Sequence, residues 1–287
     1  MNLILQTKPK MSITRKIIYI VLVSLCVIAI AIGVYMQFFT EAKLDVILGI
    51  NKFYGKSDEE YENLKADFDN IFTNTLNNIV NEKYNIQKID ENVDLIFTEY
   101  ENTKNIDGKY NLNVNIPCIN IKNDTTISYN KQIKEIFEEK AKSIIASEDS
   151  KNIIYTVEYV AYINDNILSL VIKSELKEGA SAQRVIVQTY NYDIQNNKEV
   201  TIEDVIKYKG IEQAYASNKI KNEIKKVQEQ AEELKKLGYS IFTRDYTDEI
   251  YKIENVAEFF LGNDGYLYII YPYGNDHITS EMDLVVF

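Results

Sequence analysis

An α+β fold, an antiparallel sheet with packed helices, preceded by one N-terminal transmembrane helix, is what this chain predicts. Three observations carry that expectation. Residues 17–39 form an uncharged, apolar run. Several later stretches alternate apolar and polar side chains with the period of a strand, and others repeat apolar residues at three and four, the period of a helix.

The run at 17–39 reads IIYIVLVSLCVIAIAIGVYMQFF. As a helix it rises about 35 Å, enough to cross a hydrocarbon core of about 30 Å. Lys8, Lys10, Arg15 and Lys16 precede it without any acidic residue, whereas Glu41, Lys43 and Asp45 follow. The positive-inside rule therefore expects a single-pass protein of the cell membrane, with residues 1–16 cytoplasmic and 41–287 extracytoplasmic. A cleaved signal peptide would carry a shorter apolar region ending in small residues, but Val34-Tyr35-Met36-Gln37-Phe38-Phe39 is bulky. The lipid bilayer is thus an expected partner through residues 17–39.

The formal net charge is −11, and with four basic residues ahead of the span the exterior is more acidic still. Such a surface argues against nucleic acid, whose phosphates need basic residues. It would attract a cationic partner. Of the two cysteines, Cys26 lies in the span and Cys118 outside, so they do not pair. Cys118 follows Pro117 in an alternating apolar run and reads as a buried thiol. His277 is the only histidine, which excludes a histidine-rich zinc site. There is no P-loop, dinucleotide glycine fingerprint or serine elbow. No cofactor, metal or catalytic residue is expected.

Residues 40–90 read as a juxtamembrane connector and an amphipathic helix. Ser57 and Glu60 form a capping box, and Tyr61, Leu64, Phe68, Ile71, Phe72, Leu76, Ile79 and Val80 extend the helix to about residue 82. An N-terminal α+β part is expected over 91–180. Val93, Leu95 and Phe97 share one parity, Asp107-Gly108 marks a turn, and Tyr110, Leu112, Val114 and Ile116 alternate with asparagines. Pro117 suits an edge or a strand end. Residues 130–146 return to helical spacing. Strands at 153–163, 167–176 and 184–194, separated by hairpin-length turns, predict an antiparallel meander with one buried face.

A C-terminal α+β part is expected over 181–287. Thr201 caps a short helix, 202–206. A long helix at 211–237 carries the stripe Ile211, Tyr215, Ile220, Ile224, Val227, Ala231, Leu234 and Leu237, with Gly238 closing it. Strands at 257–261, 266–271 and 282–287 finish the chain. The loop Asp276-His277-Ile278-Thr279-Ser280-Glu281 gathers a histidine, hydroxyls and carboxylates. With Tyr271 and Tyr273 beside it, Asp276, His277 and Glu281 are the candidate ligand-site residues.

An ordered series of short motifs runs through the C-terminal part. It comprises Tyr190-Asn191-Tyr192-Asp193, then Asn197-Lys198-Glu199-Val200-Thr201-Ile202-Glu203-Asp204-Val205, then Phe259-Phe260-Leu261 with Asp264-Gly265, then Ile269-Ile270-Tyr271-Pro272-Tyr273-Gly274. This resembles the extracytoplasmic domain family shared by the anti-sigma-V factor RsiV and the non-catalytic N-terminal region of the peptidoglycan deacetylase PdaC, most clearly over 185–287. The resemblance implies a non-enzymatic binding or sensory module of the bacterial cell envelope, with peptidoglycan or a cationic protein such as lysozyme as ligand. The chain departs from both relatives. Its tail at 1–16 is shorter than a sigma-binding domain, no deacetylase follows Phe287, and Ser181 stands where the family often has histidine. Two alternatives are a cell-wall-modifying enzyme centred on Asp276, His277 and Glu281, and an assembly protein acting through the helix at 57–82.

Overall fold

The structure, a computed structural model, describes residues 58–77, 86–275 and 277–287. The membrane run at 17–39, the tail before it and the connector up to Ser57 lie outside the described residues. Among the described residues no helix is long and apolar enough to cross a membrane.

The fold is mixed α+β. A larger sheet runs in the order β2 (Ile96–Ile106), β3 (Tyr110–Ile119), β4 (Ile153–Asn164), β5 (Ile167–Glu178), β6 (Arg184–Asp193) and β7 (Lys198–Glu199), with β1 (Thr75–Asn77) beside β4. A smaller sheet has the order β10 (Glu281–Val286), β9 (Leu267–Tyr273), β8 (Glu258–Leu261). The meander β4-β5-β6 is antiparallel as expected, with Asp165 at φ 51° in the two-residue turn between β4 and β5.

The expectation of an antiparallel sheet fails at two pairings. β3 lies parallel to β4 from Tyr110↔Ile153 to Val114↔Val157, and β1 lies parallel to the same edge from Thr75↔Val160 to Asn77↔Tyr162. Two short parallel ladders thus share one long edge. Asn74 seals the junction, its backbone N–H donating to the Tyr159 carbonyl at 2.8 Å and its side-chain oxygen accepting from the Tyr159 N–H at 3.0 Å. Pro117 falls where β3 has already left β4, so its missing N–H costs no ladder bond there. Opposite it, the register of β2 shifts between Thr98 and Tyr100, leaving Glu99 as the extra residue of a bulge.

The parallel crossover from β3 to β4 carries α2 (Asp124–Ile133), a π turn (Lys134–Glu138) and α3 (Glu139–Ala146). Asn123 caps α2 by accepting from the Thr125 N–H. These helices bury Ile133, Phe137, Ala141 and Ile144 against Leu112, Val114, Tyr155, Leu168 and Leu170. The opposite face of the larger sheet packs on the smaller one, where Val160, Val171 and Val187 meet Phe260, Tyr268, Ile270 and Val286. Strands β4 and β5 are therefore buried on both faces, not one as the alternation suggested. The outer face of the smaller sheet is covered by α4 (Ile202–Lys209) and α5 (Gln213–Lys236), through Val205, Ile220 and Ile224 on Phe259, Ile269 and Val285. The layers run helix, sheet, sheet, helix.

Thr201 and Asp204 form a reciprocal capping box at the start of α4. At the end of α5, Gly238 at φ 92° donates to the Lys235 carbonyl and Tyr239 to that of Leu234, a Schellman closure. The predicted stripe holds through Ala231 but not beyond, since Leu234 and Leu237 are 42% and 74% exposed. The helix outruns the sheet beneath it.

The helix expected over 57–82 is much shorter. α1 (Asp58–Ala66) gives way to a 3-10 turn at Phe68–Asn70 and then to β1; residues 78–85 lie outside the described residues. Phe68 is buried between the sheets, with Ile71 and Phe72 packed against the same core. The buried Lys173 fastens the segment, with its ammonium 2.9 Å from Asp69 and over the Phe72 ring. Burial against two sheets outweighs what one solvated helix would have covered.

Candidate functional site

Of the sequence-selected residues that are described, Tyr273 and Glu281 are joined by a hydrogen bond, whereas Tyr271 is buried and His277 is exposed. Tyr271 is buried, its ring 5.0 Å from that of Tyr251, and its hydroxyl has no hydrogen-bond partner. Tyr273 and Glu281 face each other in the β9–β10 register, and the Tyr273 hydroxyl donates to Glu281 Oε2 at 2.7 Å. Beneath them Arg244 grips Asp283 through two 2.8 Å bonds, and its guanidinium lies 3.5 Å from the centre of the Tyr273 ring. This is a structural clamp joining the long loop after α5 to the edge of the smaller sheet. His277 is exposed in a turn whose amides donate to Asn275 Oδ1. Asp276 lies outside the described residues. Among the described residues no group of three His, Cys, Asp or Glu is placed to hold a metal.

A different site emerges at the seam between the sheets. No strand of one sheet pairs with a strand of the other, so β6 and β8 are joined by side chains. Asn191 Nδ2 donates to the Phe259 carbonyl at 2.7 Å, while its Oδ1 accepts from Ser169 Oγ at 2.7 Å. Ser169 Oγ in turn accepts from the Leu261 N–H. The Thr189 hydroxyl accepts from the Phe259 N–H at 3.1 Å.

Glu258, at the head of β8, closes this network. Its Oε2 accepts from the Thr189 N–H at 2.6 Å and from Thr189 Oγ1 at 2.9 Å, and its Oε1 from Gln188 Nε2 at 2.9 Å. Burial pushes the carboxyl up to about 7, against these hydrogen bonds, which lower it.

The seam opens into a polar cleft of about 570 Å³. It is lined by Gln188, Thr189, Tyr190 and Asn191 of β6, by residues of α2 that include Asp124 and Tyr129, and by Glu199 and Glu258. Tyr190 is only 4% exposed, yet its hydroxyl has no partner. Burial, with the nearby Glu258 charge, holds that hydroxyl protonated. The Tyr129 and Tyr190 rings lie 5.0 Å apart. Chemically, the cleft offers carboxylates, hydroxyls and amides, with no basic side chain among the described residues of its lining.

A second cavity, of about 540 Å³ and mostly apolar, lies beside the β2 bulge, lined by Phe97, Glu99, Cys118, Ile127 and Lys134. Cys118 is free and buried as expected, and burial pushes its thiol up to about 12. It is a protonated thiol and a poor nucleophile.

Tyr190 and Asn191 stood in the motif series, but only the placement of β8 gives them a site. Glu258, Gln188 and Thr189 carried no signal of their own in the sequence.

No known family model matches the chain, and neither does any curated protein. Among solved structures it is similar to a DUF3298 family protein from Pseudomonas aeruginosa, at 10% identity and a TM-score of 0.37, covering 70% of this chain and 89% of that one. It is also similar to a member of the same family from Bacteroides fragilis, at 12% identity and a TM-score of 0.32, covering 61% and 81%. Likeness at this level carries no functional conclusion.

Proposed function

We propose that this chain is a non-enzymatic, membrane-anchored binding or sensory module of the bacterial cell envelope, with residues 41–287 outside the membrane. The observation that carries the reading is the open polar cleft at the sheet–sheet seam. Its lining includes β6 residues tied to β8 through Asn191 and Glu258, so these groups are held in place before a ligand arrives. The apolar run at 17–39, the acidic composition and the resemblance of the Tyr190–Asp193 and Phe259–Leu261 motifs support the location and the ligand class, peptidoglycan or a cationic protein such as lysozyme. The test is co-sedimentation of the full-length protein, in detergent, with purified sacculi, and its capture on immobilised lysozyme, across a salt series. Retention on either supports the reading, steep loss with salt marks a charge-steered partner, and retention on neither overturns it.

One observation favours a second reading, an enzyme acting on cell-wall material. A carboxyl that titrates near neutrality suits a general acid or base. Release of muropeptides by the wild type, abolished in Glu258→Gln, would select it.

A further inference from the structure

We infer that the C-terminal end of α5 docks on the lipid surface of the membrane that anchors this chain. Leu234, Leu237 and Tyr239 enter the boundary between headgroups and acyl chains, and Lys235 and Lys236 meet the lipid phosphates. The inference rests on the membrane-anchored reading and adds a second contact with the same bilayer.

The end of the helix builds the contact surface. Leu237 and Tyr239 are 74% and 61% exposed, more than any other large apolar side chain among the described residues, and Leu234 is 42% exposed. The Schellman closure gathers the three into one knob. The Tyr239 N–H donates to the Leu234 carbonyl at 3.2 Å, the geometry that brings these two side chains together. Leu237 follows Leu234 by three residues and shares its face of the helix. The loop behind the knob is fastened, since the Phe242 ring stacks on Tyr273 at 5.8 Å and Arg244 grips Asp283. The apolar knob is therefore held in place before it meets a surface.

The chemistry of the knob selects a bilayer as its occupant. Lys235 and Lys236 stand in the last turn among the exposed apolar residues. Lysine and tyrosine flanking leucine suit a membrane interface, where the ammonium groups reach phosphates while the apolar stems and the ring sink deeper. Three side chains expose far less than the roughly 800 Å² that each partner of a stable protein complex buries. A second copy in solution would thus gain too little to offset the cost of association. Docking on the chain's own bilayer is intramolecular and escapes most of that cost. The tether is also long enough. Lys65 of α1 is bonded to Glu223 of α5 at 2.6 Å, Leu237 lies about 20 Å further along the helix axis, and residues 40–57 can span up to about 60 Å.

The chain contains no tryptophan, so one introduced indole is a unique reporter. Full-length Tyr239→Trp is reconstituted into vesicles of phosphatidylcholine and phosphatidylglycerol, with and without bromine on the acyl chains. Tyr208→Trp is the control, because Tyr208 is also exposed but precedes α5 and so lies at its opposite end. Bromolipid should remove about half or more of the Tyr239→Trp emission, as for a ring seated at the acyl boundary, and leave that of Tyr208→Trp unchanged. Adding Leu234→Gln and Leu237→Gln should abolish the quenching in a protein whose circular dichroism is unaltered. Unquenched Tyr239→Trp emission overturns the inference, as does equal quenching of both reporters or quenching that survives the two glutamines. A blue shift without quenching also overturns it, because protein, a second copy included, then covers the knob. A carbonate wash separates this contact from the anchor. Retention of the protein on washed vesicles without quenching would sink the contact alone. Quenching before the wash followed by loss of the protein would sink the anchored reading and leave the lipid contact standing.

Discussion

The side-chain amide of Asn191 donates to the backbone carbonyl of Phe259 over 2.7 Å, across a seam that no β-ladder spans. Asn191 is 5% exposed and also accepts from Ser169. Replacing it with alanine leaves the Ser169 hydroxyl proton without its acceptor and the Phe259 carbonyl without its donor. Asn191→Ala should destabilise the protein by about 2–4 kcal/mol, from buried groups left unpaired at about 1–3 kcal/mol each. Urea unfolding measures the loss, and faster amide exchange at Phe259 and Leu261 locates it at the seam.

Glu258 makes stability fall as pH rises. Its folded-state carboxyl, at about 7, lies above the usual carboxylate range, so the folded state holds the proton more tightly than the unfolded one. The contribution is fully present below about pH 4 and is lost as pH climbs through 7, on the order of 3 kcal/mol in total. Glu258→Gln, which cannot ionise, should flatten this part of the profile. Urea midpoints for both proteins at pH 5 and pH 8 decide the matter. A wild-type change between the two no more destabilising than the variant's would refute it.

Arg244 and Asp283 form a two-bond pair in which both side chains are more than nine-tenths buried. Lysine cannot reproduce the planar fork or its stacking on Tyr273. Arg244→Lys should lower the thermal midpoint clearly. Arg244→Met should do so more, by about 3–5 kcal/mol, because Asp283 is then a lone buried charge. The double variant Arg244→Met with Asp283→Leu should recover much of the loss, which calorimetric scans of all three would show.

Tyr271 offers the opposite sign. Its hydroxyl is buried and unpartnered, so Tyr271→Phe should stabilise by about 1 kcal/mol. A lower urea midpoint for the variant would contradict the geometry.

Cys118 should resist alkylation in the native protein at pH 8, because burial both shields the thiol and holds it protonated. Full labelling should appear only in denaturant, read by mass spectrometry against Cys26→Ser.

Local signals foretold much of this architecture. The strands of the meander, the Thr201 cap and the Gly238 closure are short-range features, in which turn residues and alternation act within a few positions. The parallel pairings of β1 and β3 with β4 left no such trace, because strands joined by long connections share no local pattern. Helical spacing at Phe68, Ile71, Phe72 and Leu76 was a true record of burial but a poor guide to helix, since Phe68, Ile71 and Phe72 fill the inter-sheet core and Leu76, on β1, packs against the core on the other face of the larger sheet. The candidate site was less legible. The loop around His277 stands out because its residue types are chemically conspicuous, whereas Glu258 is one carboxylate among many until Gln188 and Thr189 are folded onto it.

The first described helix, α1, lies against the last strand, with Glu62 and Lys65 beside Met282 and Leu284, and Lys65 is bonded at 2.6 Å to Glu223 of α5. The two ends of the folded unit thus share one corner. Tension applied between residues 58 and 287 would be carried across that corner, through α1, α5 and β10. Because the Ser280 N–H, just ahead of β10, donates to the Gln183 carbonyl, just ahead of β6, part of such a load would pass into the strand that carries Asn191.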